Sequence, residues 1–235
     1  MGLRKSLRKF KGRVLGKKTA HFIHIGKTGG TAIKYVMKSY PSTDSYEIFI
    51  HNHKTVLRDI PEGEKVFFFL RDPVKRFVSA FYSRKREGRP RLYNPWTQGE
   101  REAFGRFETP RALAEALSSD DTEYRESAQR AMGEIGHIKS SYWDWFEDEN
   151  YFRSRIDDIL FIGFQESFEK DFETLKSILK LPAQAQLPQD DINTHRNPES
   201  VDRYMSESAV ENLERWYSKD YEFIDICKKS ALTGR

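Results

Sequence analysis

The sequence predicts an α/β protein, a parallel sheet covered by helices on both faces in three α/β/α layers. Three observations predict it. Four short runs are almost wholly apolar and rich in Phe and Ile: "TAHFIHI" (Thr19–Ile25), "YEIFIH" (Tyr46–His51), "KVFFFLR" (Lys65–Arg71) and "ILFIGF" (Ile159–Phe164). Strands that are apolar on both faces belong to a doubly covered sheet, whereas a half-exposed strand alternates. Segments with helical periodicity lie between these runs, and strand–helix alternation argues for parallel pairing. No repeat, low-complexity block or Gly/Ser linker divides the chain, so 235 residues read as one domain over 19–235 behind a short leader.

The leader is 1–18, "MGLRKSLRKFKGRVLGKK". It holds eight of the 40 Lys/Arg and no acid, which leaves 32 basic against 36 acidic groups in the body. The overall charge of +4 therefore describes the leader and hides a mildly acidic body. Such a segment is expected to be a flexible, solvated tail that could associate weakly with an anionic surface. It lacks the long apolar stretch of a signal peptide or membrane anchor. Its opening, "MGLRKS", fits the N-myristoylation pattern, which matters only in a cell with the acylating enzyme. The expected compartment is the cytoplasm. A single cysteine, Cys227, excludes an intrachain disulfide and a Cys-rich zinc site. With 37% hydrophobic and 32% charged residues, the chain reads as a folded globular protein.

The first strand, Thr19–Ile25, runs into "GKTGGT" and then a helix over Thr31–Tyr40. Gly29 and Gly30 lack a Cβ and can take positive φ, so a ligand could approach the backbone. The N–H groups around Thr28–Ala32 would face outward at a helix N-terminus, where the dipole favours an anion. Lys27 adds a full charge, and Thr28 and Thr31 add hydroxyls. An ordinary turn with a solvated lysine is the plainer alternative. It leaves the coincidence of strand, Lys, Thr, Gly-Gly, Thr and helix unexplained. The pattern also departs from the Walker P-loop, because Lys27 precedes the glycines and no Lys-Ser or Lys-Thr follows them. A phosphate-type site without a required metal fits best.

The second strand ends in "HNH", His51 and His53. The third ends at Arg71, with Asp72 as the expected N-cap and Pro73 as the first residue of a helix over Pro73–Glu87. Ser79 lies about two turns into that helix and could face Arg71. A guanidinium fork with a hydroxyl suits a terminal phosphate, although Arg71 could instead pair with a carboxylate. Further helices are predicted at Pro110–Leu117, Glu123–Gly133, Glu166–Leu179 and Ser206–Lys228, the last with Val210, Leu213, Trp216 and Tyr217 on one face. Segment 181–200, with Pro182, Pro188 and Pro198, reads as an ordered loop.

"HIGKTGGT" and "LRDPVKRFVSAFYSR", about 45 residues apart, together resemble the two donor-binding segments of sulfotransferase family 2, a group of carbohydrate sulfotransferases. "FIGFQESFEKDFETLKSIL" and "WYSKDYEFIDIC" resemble its C-terminal half. The resemblance implies a P-loop-like fold and 3'-phosphoadenylyl sulfate (PAPS) as donor, with no metal expected. It implies that Lys27, Thr28, Gly29, Gly30 and Thr31 hold the 5'-phosphosulfate, and that Arg71 and Ser79 hold the 3'-phosphate. The acceptor would be a carbohydrate or other hydroxyl compound, with no role for nucleic acid. Gly26 departs from the proline usual before the lysine. The anchor of animal members is not seen, which fits a soluble, bacterial-type member.

Transfer to a hydroxyl needs a group to take its proton, and histidine is suited to this. The resemblance puts the base on His53 first and His51 second, with Asp59 and Glu64 as weaker substitutes. A metal at the H-x-H pair lacks a third ligand at suitable spacing, and a structural loop histidine is the other alternative. His24 reads as buried packing. The aromatics of Ser141–Phe146, after His137, could stack on a sugar or fill a core. "RKREGRPR" (Arg84–Arg91) could meet an anionic acceptor or be a solvated charge run. "NTHRNPES" (Asn193–Ser200) could fold over the nucleotide. An ATP-dependent small-molecule kinase is the rival enzyme, and it would need a magnesium site that the sequence does not supply. A non-enzymatic nucleotide- or polyanion-binding module using the leader is the third alternative.

Overall fold

The structure is a computed structural model and describes residues 3–90, 92–190, 197–198 and 200–233. The chain packs as two compact units, Met1–Leu70 with Tyr142–Thr194 and Phe223–Arg235, and Arg71–Ser141 with His195–Glu222.

The first unit contains the sheet. Strands β1 (Lys18–Phe22), β2 (Tyr46–Ile50), β3 (Lys65–Leu70) and β4 (Ile159–Phe164) are all parallel, in the order β2-β1-β3-β4. The predicted parallel sheet is present; β2, β3 and β4 lie within their apolar runs, and β1 starts one residue before its run, at Lys18. β1 ends at Phe22, three residues before the run does. Along the chain the helices are α1 (Leu3–Val14), α2 (Gly30–Ser39), α3 (Pro73–Lys85), α4 (Gln98–Arg106), α5 (Pro110–Ala116), α6 (Thr122–Glu134), α7 (Trp143–Phe146), α8 (Glu149–Ser154), α9 (Phe168–Leu179), α10 (Glu207–Trp216) and α11 (Ser218–Thr233).

The unbroken "VFFFL" of β3 is explained by the two cores. Phe67 and Phe69 pack with Phe22, Ile33, Val36 and Leu175, on the side of α2 and α9. Val66, Phe68 and Leu70 pack with Phe146, Phe152 and Phe223, on the side of α7, α8 and α11. The five side chains Val66–Leu70 are fully buried. Each of these phenylalanines contributes about 1.5–3 kcal/mol by leaving water. A polar residue at any of them would be buried whichever way it pointed.

The leader forms α1, which lies on β1 and β2. Arg8 donates to the Ile48 carbonyl at 2.6 Å, pairs with Glu47 at 3.2 Å and stacks over Phe49. Lys9 and Arg13 both bond Glu64, at 2.7 and 3.0 Å. A Cβ on Gly12 would lie 2.4 Å from Glu47 Cγ, so this glycine lets the helix approach closely.

The second unit is helical, with a core that includes Phe77, Phe81, Phe104, Leu113, Met132 and Leu213. Its α4 was not predicted, although its signal was present: Thr97 and Glu100 form a reciprocal capping box. The single helix expected over Ser206–Lys228 is two, α10 and α11. Tyr217 separates them, leaving helical geometry (φ −99°, ψ 23°) while its hydroxyl donates to the Ile138 carbonyl at 2.9 Å.

Candidate active site

From β1 the chain steps to one side for β2 and to the other for β3, so the strand order reverses between β1 and β3. In open parallel sheets, ligands bind outside the carboxyl ends of the strands at such a point. Lys27 follows β1 across that edge, His51 and His53 follow β2, and Arg71 is bonded to the last residue of β3.

The loop after β1 is shaped by two left-handed residues, Lys27 (φ 69°) and Gly29 (φ 85°). Thr28, between them, is fully buried, and its hydroxyl donates to the Ile25 carbonyl at 3.1 Å. That hydroxyl was expected to face an anion; its one proton instead closes the loop. Gly29 caps α2, and Ala32 N–H returns to the Gly29 carbonyl at 3.0 Å. The first N–H groups of α2 are those a helix leaves without internal acceptors. Lys27 and Thr31 are half-buried beside them.

The glycine pair also has a purpose the sequence did not reveal. A Cβ on Gly30 would lie 2.2 Å from the His24 ring, and one on Gly29 would lie 2.7 Å from the Phe168 ring. Glycine is needed so that these two rings can pack under the loop. The donor set that remains, a lysine plus helix-terminal amides, fits a phosphosulfate.

His24 is buried as expected, but it is part of the site. His53 Nδ1 lies 2.9 Å from the His24 carbonyl, and the two rings lie 3.9 Å apart at 34°. A carbonyl oxygen only accepts, so Nδ1 carries the proton and Nε2 keeps its lone pair. Trp145 Nε1 donates to the His53 carbonyl at 3.0 Å, fixing the backbone as well. His53 is solvent-exposed at its edge, yet its pKa is lowered from the usual 6.5. Partial desolvation is the largest cause; the His24 carbonyl opposes it, and Lys34 and Lys27 lower it further. The lowered pKa favours the neutral form of His53 at neutral pH.

His51 sits in a different network. Its Nε2 lies 2.8 Å from Nδ1 of buried His21, whose Nε2 lies 2.8 Å from Glu64. Glu64 accepts from His21 Nε2–H, and the His21–His51 contact engages His51 Nε2. Glu64 is held as an anion. Burial pushes its pKa up, but the bonds from Lys9 and His21 outweigh this and lower it. Asp59 caps a turn by accepting from Val56 N–H at 3.0 Å. Both carboxylates are engaged in structural bonds.

In the second unit, Asp72 caps α3, accepting from Lys75 N–H at 2.9 Å with Pro73 as its first residue, as predicted. Tyr221 donates to Asp72 at 3.0 Å. Arg71 and Ser79 are both half-buried. Asn197 Nδ2 donates to the Ser79 carbonyl at 3.4 Å and its Oδ1 accepts from Arg86. Tyr82 donates to the Asp202 carbonyl at 2.6 Å, so both Asn197 and Asp202 lie against α3. Of the stretch Asn193–Ser200, residues 193–196 and 199 lie outside the described residues, as does Arg91.

Parts of two other sequence candidates are structural. Of the run Arg84–Arg91, Arg84 is buried in a bidentate pair with Glu100, whereas Arg89 is exposed. Tyr142, Trp145 and Phe146 fill the first unit's core, leaving no ring free to stack on a sugar from that trio. Among the described residues no cluster of three or more His, Cys, Asp or Glu could hold a metal, and no helix is long and apolar enough to cross a membrane.

No curated protein matches the chain. The sequence profile of the sulfotransferase family matches residues 13–225, which takes in the sheet, the anion loop, the histidine pair and all of α3. With nearly the whole chain matched and an all-parallel sheet carrying a lysine–glycine loop at its reversal point, the chain belongs to the sulfotransferase family, whose members are enzymes that use PAPS.

Proposed function

We propose that this enzyme transfers the sulfuryl group of PAPS to a carbohydrate hydroxyl by in-line displacement, with His53 as the base. The observation that carries this reading is the His53 Nδ1 bond to the His24 carbonyl, which leaves Nε2 as the proton acceptor. Lys27 and the amides of Thr28–Thr31 hold the 5'-phosphosulfate, and Arg71 with Ser79 holds the 3'-phosphate. The order of the strands supports this division, because Lys27 and Arg71 follow the neighbouring strands β1 and β3.

In the reaction the acceptor oxygen bonds to sulfur as the bridging sulfur–oxygen bond breaks. His53 Nε2 takes the acceptor's proton. Lys27 and the α2 amides stabilise the charge that builds on the departing 5'-phosphate, a preorganised arrangement of the oxyanion-hole kind. Adenosine 3',5'-bisphosphate leaves. The carbohydrate acceptor rests on the family resemblance of the two donor segments. Transfer of labelled sulfate from PAPS to a panel of glycans and small alcohols tests it. Labelling of glycans is expected, and labelling of non-carbohydrate alcohols alone would overturn the acceptor class.

A further inference from the structure

Helix α1 is attached to the protein by the wrong face for a soluble helix. At about 100° per residue, Arg8, Gly12 and Lys9 share one side of the helix, the side that contacts Glu47, Ile48 and Glu64. Leu7, Phe10 and Val14 fall within about 60° of one another on the opposite side. They are 60%, 68% and 70% exposed, and Leu15, just past the helix, is 60% exposed. A globular helix normally buries its apolar stripe and hydrates its charges. Here the charges make the attachment and the stripe faces water.

From this geometry we infer that α1 is an interfacial helix that lays Leu7, Phe10 and Val14 into the surface of an anionic lipid bilayer. Charge complementarity identifies the occupant. Lys11 and Arg13 flank the stripe on its two sides and are exposed, and residues 1–18 contain no acid. A cationic border around a narrow apolar stripe is the pattern of a helix lying in the headgroup region. A second copy would bring the exposed positive charges that border the stripe, Lys11 and Arg13, against their own counterparts. The acids that could neutralise them, Glu47 and Glu64, are already engaged by Arg8, Lys9 and Arg13. The helix is about 18 Å long. It is too short to span a bilayer, so the association is peripheral.

The test is co-sedimentation of the full chain with vesicles of phosphatidylcholine alone and of equal parts phosphatidylcholine and phosphatidylglycerol. Binding is expected only to the anionic vesicles and should weaken with salt. The double variant Leu7→Ser, Phe10→Ser should lower that binding by at least about tenfold. Its melting temperature and its sulfate transfer to a soluble acceptor should stay unchanged. Lys11→Glu should also weaken vesicle binding. Failure to bind either vesicle overturns the proposal. So does wild-type binding by the double variant, which would mean that charge alone holds the helix. Self-association that Phe10→Ser abolishes, without vesicle binding, would assign the stripe to a second copy.

Discussion

The imidazole of His53 is held by the residue His24, with 2.9 Å from Nδ1 to the His24 carbonyl and 3.9 Å between the ring centres. The His24 ring in turn rests against the backbone of Gly30, in the first turn of the helix that follows the anion loop. Base and loop therefore share one support, and a change on one side reaches the other.

The Gly30 position tests that support. In Gly30→Ala the new methyl would press on the His24 ring, and overpacking of this kind costs about 1–3 kcal/mol. Turnover should fall together with donor affinity. Gly29→Ala adds a strained φ to a clash with Phe168, so it should weaken the donor at least as much. Calorimetry with adenosine 3',5'-bisphosphate and steady-state kinetics measure both. Normal values in both variants would detach the loop from the base.

The lowered pKa of His53 sets the pH profile. On the proposed mechanism His53 acts as a base only when neutral, so kcat/KM, which reports the free enzyme, should hold through neutral pH and fall on an acid limb centred below the usual 6.5. The same shift has a sign for stability. The unfolded chain binds this proton more readily than the native one, so this group's contribution to stability falls as pH drops through 6.5. An acid limb centred above that value would point to a different base.

Glu64 ties α1 to the buried His21. Replacing Lys9 and Arg13 together by Met leaves the carboxylate with less compensation, at about 1–3 kcal/mol. That should lower the melting temperature by several degrees. Because its folded pKa is depressed, the contribution of Glu64 is present above the usual 4.5 and is lost as pH falls below that. The gap between wild type and variant should therefore narrow in acid. Equal melting temperatures would show that α1 contributes nothing to the fold.

The Arg84–Glu100 pair makes the strongest stability prediction. Burial pushes Glu100 up, but Arg84, with the N–H groups of Gly136 and Thr97, brings it down to about 2. Arg84→Ala strands a buried carboxylate and should cost about 3–5 kcal/mol. Glu100→Gln should cost less, since it keeps the capping shape. Urea unfolding of both variants gives the comparison, and a larger loss in Glu100→Gln would contradict it.

The sheet was legible because each strand is buried on both faces, so Phe67, Phe68 and Phe69 could be read without knowing their neighbours. The α3 start was legible because Asp72 and Pro73 act locally. What was not legible depends on distant parts of the chain. His24 meets His53 only once β1 and β2 pair in parallel, with His21 opposite Phe49. Lys9 finds Glu64 at a separation of 55 residues, so the leader read as a tail. The Thr28 hydroxyl read as a ligand because the turn that consumes it has no sequence signal of its own.

The most direct measurement of the central claim is the pair kcat and donor affinity for His53→Ala, set beside His51→Ala and Lys27→Ala. Loss of a general base lowers turnover by about 10²–10⁴, and donor binding to His53→Ala should stay intact. Lys27→Ala should lose both, because its charge serves ground and transition states alike. Near-normal turnover in His53→Ala, with loss in His51→Ala, would move the base to His51 and contradict the account.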